Sequence, residues 1–138
     1  MSSVSAEIIC ASINGWIVRS VCVSFEVEVT LAASPHSSSA QGVLSLTGAL
    51  SLQDERGRVH LDVGDRKEAL APLLRTIGSV VSQCVVSADG ALRIECAGGL
   101  SVGVPADKTY EAWRLRTPIG YLVVQPGGAV SVWATDDL

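Results

Sequence analysis

The sequence predicts an α+β fold, predominantly an antiparallel β meander of two similar β units with one short helix near residues 65–77. Three observations predict it. Apolar and polar residues alternate in short runs, which is the period of a half-buried strand. The runs end on Gly, Pro or Asp, the residues that tight turns require. One stretch alone, "DRKEALAPLLRTIG", spaces its apolar residues as a helix does. The 138 residues suit a single domain, 1–138, able to bury a core without disulfide or metal staples.

Residues 1–12 are read as a flexible N-terminus. From Val21 to Leu31 the alternation is clean, with Val21, Val23, Phe25, Val27, Val29 and Leu31 on one face. This predicts one strand, which Gly15 to Val18 either joins or precedes as a short strand before a bend. "ASPHSSSAQG", residues 33–42, is a loop by composition and is expected to be mobile. Leu44 to Leu52 and Arg58 to Val63 then form a hairpin around the turn residues Gln53 to Gly57. In the helix, Asp65 is placed to cap the first turn, with Glu68 as its capping-box partner. Ala69, Leu70, Leu73, Leu74 and Ile77 make the apolar stripe, and Pro72 kinks it or splits it into two turns. After Gly78 the chain is all strand, with turns at Asp89-Gly90, Gly98-Gly99, Thr117 to Gly120 and Pro126 to Gly128. "GWIVRSVCV" from Gly15 resembles "GSVVSQCVV" from Gly78, matching Val18 to Val81 and Val23 to Val86. That internal repeat is the basis for two β units bridged by one helix.

Composition excludes several classes. Hydrophobic residues are 48% and charged residues 17%, a globular balance. Aromatics are 4%, so Val, Leu, Ile and Ala must fill the core. A net charge of −4 argues against nucleic acid as a partner, because phosphate binding needs a basic surface. It is compatible with a basic protein partner. No Lys or Arg precedes Arg19, no signal pattern is present and no apolar run reaches membrane-spanning length. A cytoplasmic protein that does not engage membranes is expected.

Cys10, Cys22, Cys84 and Cys96 show no C-x-x-C spacing, so zinc and thioredoxin-like chemistry lack their motif. A two-residue turn at Asp89-Gly90 would set Cys84 opposite Glu95 and send Cys96 to the other face. The two would then not bridge, and buried free thiols are expected. The phosphate-loop, dinucleotide, zinc-protease and nucleophile-elbow patterns are all absent. No cofactor, metal or catalytic residue is therefore assigned. His36 falls in the Ser-rich loop and His60 in a strand, where a polar surface role is expected. Glu26 and Glu28 share a strand face, and read as the wet side of a sheet rather than as an acid–base pair.

Tyr110, Glu111, Trp113 and Trp133 are the candidate partner or ligand surface. Alternation sends Trp113 and Leu115 inward and Arg114 and Arg116 outward, with Glu111 at the core side or its rim. Trp133 is partly exposed if it shares a face with Ala129 and Ser131.

This tail resembles a small uncharacterised family, mainly actinobacterial, with the pattern D-G-x-L-x-[IL]-x-F-x-D-G-x-x-L-x-V-x-P…Y-E-A-W-x-[LV]…G…P-G-G-x-[LV]-x-x-W. The matches include Asp89, Gly90, Leu92, Ile94, Gly99, Leu100, Val102, Pro105, Tyr110 to Trp113, Leu115, Gly120, Pro126 to Gly128, Val130 and Trp133. "IECAGG" departs from the family's F-x-D-G turn, so the acidic turn residue is missing. The resemblance spans roughly Gly15 to Trp133. It implies a small intracellular domain of the kind associated with immunity proteins or accessory partners near toxin genes. It carries over no catalytic residues.

The expected function is a non-catalytic protein-binding module, immunity-type or regulatory, that covers a toxin-like partner protein. One alternative is a small-ligand-binding or enzymatic domain using the Tyr110, Glu111 and Trp113 region with Trp133. Another is a self-associating β-protein that pairs strand edges in a homodimer.

Overall fold

The computed structural model describes residues 5–34 and 41–135. Helix α1 (Ala6–Ala11) leads into β1 (Ile17–Val23), β2 (Val27–Ala32), β3 (Gln41–Leu46), β4 (Ala49–Asp54) and β5 (Gly57–Asp62). A 3₁₀ helix (Lys67–Thr76) follows. Then come β6 (Val81–Val86), β7 (Leu92–Cys96), β8 (Ser101–Val104), β9 (Trp113–Thr117), β10 (Gly120–Val124) and β11 (Val130–Ala134). The fold is α+β and dominated by antiparallel sheet.

The strands form a six-stranded sheet, ordered β1-β2-β3-β9-β10-β11, and a five-stranded sheet, ordered β5-β4-β8-β7-β6. The order contains an exchange. Each half of the chain gives a three-strand meander to one sheet and its following strands to the other. Thus β3 pairs with β9, and β8 with β4. The repeat noted above has a structural counterpart. The register of β1 shifts between Val18 and Ser20, and that of β6 between Val81 and Gln83, at equivalent positions of the two units. The two strands also meet: the Gly15 amide donates to the Val81 carbonyl, and the Val81 amide to the Trp16 carbonyl. One flank of the sandwich is thereby stitched shut.

The inner faces pack on each other. Val29, Leu44, Leu115 and Leu122 from the larger sheet join Leu52, Val102, Ile94 and Cys84 from the smaller in one core. A cavity of only about 20 Å³ remains between Val29 and Leu44 on one side and Ile94 and Val102 on the other.

Several expectations are corrected. The single strand from Val21 to Leu31 is a hairpin, β1–β2, folded at Ser24 to Glu26. Phe25 sits at its tip with 102% relative exposure rather than in the core. Leu44 to Leu52 is not one strand either. It breaks at Thr47-Gly48, where the chain leaves the six-stranded sheet for the five-stranded one. Where a flexible N-terminus was expected over 1–12, α1 forms, capped by the Ser5 hydroxyl, which accepts from the Ile8 amide at 3.2 Å. It buries Ile9 and Cys10. Of the loop expected over 33–42, residues 35–40, with His36, lie outside the described residues, and Gln41 and Gly42 begin β3.

The expected α-helix is a 3₁₀ helix, and Arg66 rather than Asp65 occupies its N-cap without a side-chain bond. Its buried residues are Leu70, Leu73 and Thr76, spaced by three as a three-residue turn demands. Leu74 and Ile77, which an α-helical stripe would bury, are exposed. The Asp89-Gly90 turn is also longer than expected. Val86 pairs with Leu92 and Cys84 with Ile94, so Cys84 and Cys96 both face inward. They still do not bridge, and all four cysteines are free. Among the described residues, no helix is long and apolar enough to cross a membrane.

Candidate functional site

The four residues singled out in the tail separate into two places. Tyr110, Glu111 and Trp113 clamp the crossing at Thr47-Gly48. The Thr47 hydroxyl donates to the Glu111 carbonyl at 2.6 Å, and the Thr47 amide to the Ala112 carbonyl at 3.1 Å. The Tyr110 ring lies so close over Gly48 that a Cβ there would stand 2.1 Å from the tyrosine hydroxyl oxygen. Burial and the Asp107 carboxylate both push the Tyr110 phenol up, burial being the larger cause. The Glu111 side chain is exposed, not turned to the core, because β9 begins only at Trp113 and the alternation does not extend back to it.

Trp113 is 0% exposed, and its indole N–H donates to the Gly90 carbonyl at 2.9 Å. Gly90 in turn lies against Gly128. A Cβ on Gly90 would fall 2.3 Å from the Gly128 carbonyl oxygen, and one on Gly128 would fall 2.3 Å from that of Asp89. Both glycines close three-residue hairpin loops with positive φ, 87° and 108°. The Gly127 amide donates to the Asp107 carbonyl at 2.8 Å. The D-G, Y-E-A-W and P-G-G segments are therefore one knot that ties the sheets together, and a ligand has no access to Trp113.

Trp133 lies elsewhere, on the outer face of the six-stranded sheet, 37% exposed. Strand register builds a row across that face: Thr30, Val43, Arg116, Tyr121 and Trp133. The Arg116 guanidinium carbon stands 5.1 Å over the Tyr121 ring. The Tyr121 and Trp133 ring centroids are 5.6 Å apart, tilted by 32°. A cation–π contact at such an exposed site contributes about 0.5–1 kcal/mol.

The next row holds Glu28, Ser45, Arg114, Val123 and Ser131. Arg114 donates to the Glu26 carboxylate, so the two glutamates noted in the sequence are not an isolated carboxylate pair. Gln125 and Ser131 are joined at 3.0 Å. Between the rows is an open recess of about 250 Å³ lined by Glu26, Glu28, Arg114, Arg116 and Tyr121 among others. The face offers stacking surface, a guanidinium over an aromatic ring and carboxylates.

Other candidates fall away from it. His60 is exposed on β5 opposite Ser51, in the other sheet. Among the described residues, no group of three or more His, Cys, Asp or Glu stands close enough to hold a metal. Arg116 and Tyr121 escaped selection from the sequence. Their meeting depends on the two-residue Pro118-Ile119 turn, which sets Arg116 opposite Tyr121.

No curated protein and no solved structure matches the chain. Residues 9–134 match the model of a family described as "Family of unknown function (DUF6188)", a span that runs from α1 to β11 and takes in both the knot and the open face. The chain belongs to the DUF6188 family.

Proposed function

We propose that this domain is a non-catalytic protein-binding module, immunity-type or regulatory, that covers a toxin-like partner in the bacterial cytoplasm. The observation that carries the reading is the exposed row Arg116–Tyr121–Trp133 on the outer face of the six-stranded sheet. Arg, Tyr and Trp dominate binding energy at protein interfaces, Tyr and Trp because they add large contact area at low entropic cost and Arg because its planar fork of donors pairs with carboxylates. A partner would lay an apolar side chain on Trp133 and direct a carboxylate to Arg116. Glu28, exposed beside the row, would take a basic group. Tyr110, Glu111 and Trp113, spent on the knot, hold the scaffold rather than the partner.

The test is co-expression with the toxin-like product of an adjacent gene, followed by size-exclusion chromatography and a growth-protection assay. The expected result is a stable complex and protection, with Trp133→Ala or Arg116→Ala weakening affinity by roughly thirtyfold or more, the scale of a hot-spot loss. A complex as tight with the Trp133→Ala, Arg116→Ala double variant overturns the assignment of the face. A chain that elutes only as its own dimer and protects against nothing overturns the function itself.

A further inference from the structure

Cys10 on α1 and Cys84 on β6 come from opposite halves of the chain, yet both are buried side chains lining the same groove. They lie at the floor of a groove of about 650 Å³ between α1, the end of β6 and the hairpin loop before β11. Small residues wall it: Ala6, Ser87, Ala88, Gly128 and Ala129. The groove is distinct from the outer face described above and has the volume of a small-molecule site. The other two cysteines are differently placed. Cys22 is exposed, and Cys96 is buried in the core with its thiol pushed up by burial.

We propose that Cys10 and Cys84 form a redox-active dithiol that reacts with a small-molecule disulfide entering this groove and closes into a Cys10–Cys84 disulfide. Cys10 is the attacking thiol: its neighbour Cys84 holds it below the ordinary thiol range, whereas Cys10 and burial push Cys84 up. The Cys10 thiolate attacks one sulfur of a disulfide R–S–S–R. The S–S bond breaks, and one R–S⁻ leaves and takes up a proton. Cys84 then gives up its proton and attacks the Cys10 sulfur of the mixed disulfide, expelling the second R–S⁻, which is protonated in turn. The protein loses two electrons and two protons, and the small disulfide becomes two thiols. The product pins the short helix α1 to β6 and floors the groove with a covalent bond.

The test uses the full chain incubated with oxidised glutathione and mapped by mass spectrometry without reduction. Tryptic cleavage after Arg19, Arg75, Arg93 and Lys108 leaves each cysteine on its own peptide. The expected map shows the Cys10 and Cys84 peptides cross-linked, Cys22 carrying glutathione and Cys96 a free thiol. Dithiothreitol reverses both changes. In Cys84→Ala the reaction stops at a glutathione adduct on Cys10, while in Cys10→Ala Cys84 stays unreacted. Wild-type chain in which Cys10 and Cys84 remain thiols, or form separate adducts, overturns the proposal. So does cross-linking of either to Cys22. The wild-type map decides the matter even if a variant fails to fold.

Discussion

The indole N–H of Trp113 donates a 2.9 Å hydrogen bond to the carbonyl of Gly90, fastening β9 of the six-stranded sheet to the β6–β7 hairpin tip of the five-stranded one. The donor is fully buried, and so is the bond. Trp113→Phe keeps most of the ring but leaves the Gly90 carbonyl without this donor, a loss of about 1–3 kcal/mol. Urea unfolding followed by circular dichroism should show a lower midpoint with an unchanged slope. A midpoint equal to wild type would mean that the bond adds nothing beyond packing.

Gly90 and Gly128 stand back to back, and two other turn glycines, Gly98 and Gly127, do not share the constraint. Alanine at Gly98, with φ 88° and nothing within 4 Å of its Cβ, pays only the left-handed backbone penalty of roughly 1–2 kcal/mol. Alanine at Gly90 or Gly128 meets the opposing backbone at 2.3 Å, which adds about 1–3 kcal/mol of overpacking. Thermal melts should rank Gly98→Ala clearly above Gly90→Ala and Gly128→Ala. Equal melting temperatures would remove the close approach as a determinant of the fold.

In the 3₁₀ helix, Leu73 is buried and Leu74 is exposed. Leu73→Ala should cost about 2–5 kcal/mol, as buried leucine truncations do. Leu74→Ala should stay within about 0.5 kcal/mol. An α-helical stripe would make the two similar, so the ratio of the two losses reads the helix type in solution.

Those leucines show where the sequence was legible and where it was not. The apolar set from Ala69 to Ile77 fits a period of 3.6 as well as one of 3.0, and only packing chooses between them. Period-two alternation located most strands, and the inward Trp113 and Leu115 follow from it directly. Phe25 obeys the same alternation but lies in a turn that carries no Gly or Pro to announce it. Turn length was the larger obstacle. One extra residue at Asp89-Gly90 moves Cys84 from Glu95 to Ile94 and turns Cys96 inward. The exchange of strands between sheets, the Arg116–Tyr121–Trp133 row and the Cys10–Cys84 contact all depend on register or on distant pairing, which no local pattern encodes.

Arg114 and Glu26 pair across the sheet face with their side chains about a third exposed, at 32% and 27%. A double-mutant cycle with Arg114→Ala and Glu26→Ala should give a coupling of about 0–1 kcal/mol. The coupling should shrink as salt is raised, because screening acts strongly on exposed charges. A larger, salt-independent coupling would show that Arg114 and Glu26 form a structural anchor rather than a surface pair free to be exchanged for a partner's charges.

Asp107 links the knot to solvent pH. Its carboxyl is held below the usual carboxylate range, chiefly by the Thr109 amide and next by the Thr109 hydroxyl, both at 2.9 Å. A carboxylate depressed in the folded state contributes stability that is present above its unfolded pKa and lost as pH falls through its folded pKa. Its backbone carbonyl also receives the Gly127 amide, so loosening this loop reaches the P-G-G turn. Asp107→Asn keeps the shape but removes the titration. Near neutral pH the variant should be less stable than wild type, and the gap should close as pH is lowered through the carboxylate range, read by urea midpoints at successive pH values. A gap that stays constant down to acid pH would assign the loss to altered hydrogen bonding alone, with no part played by the charge.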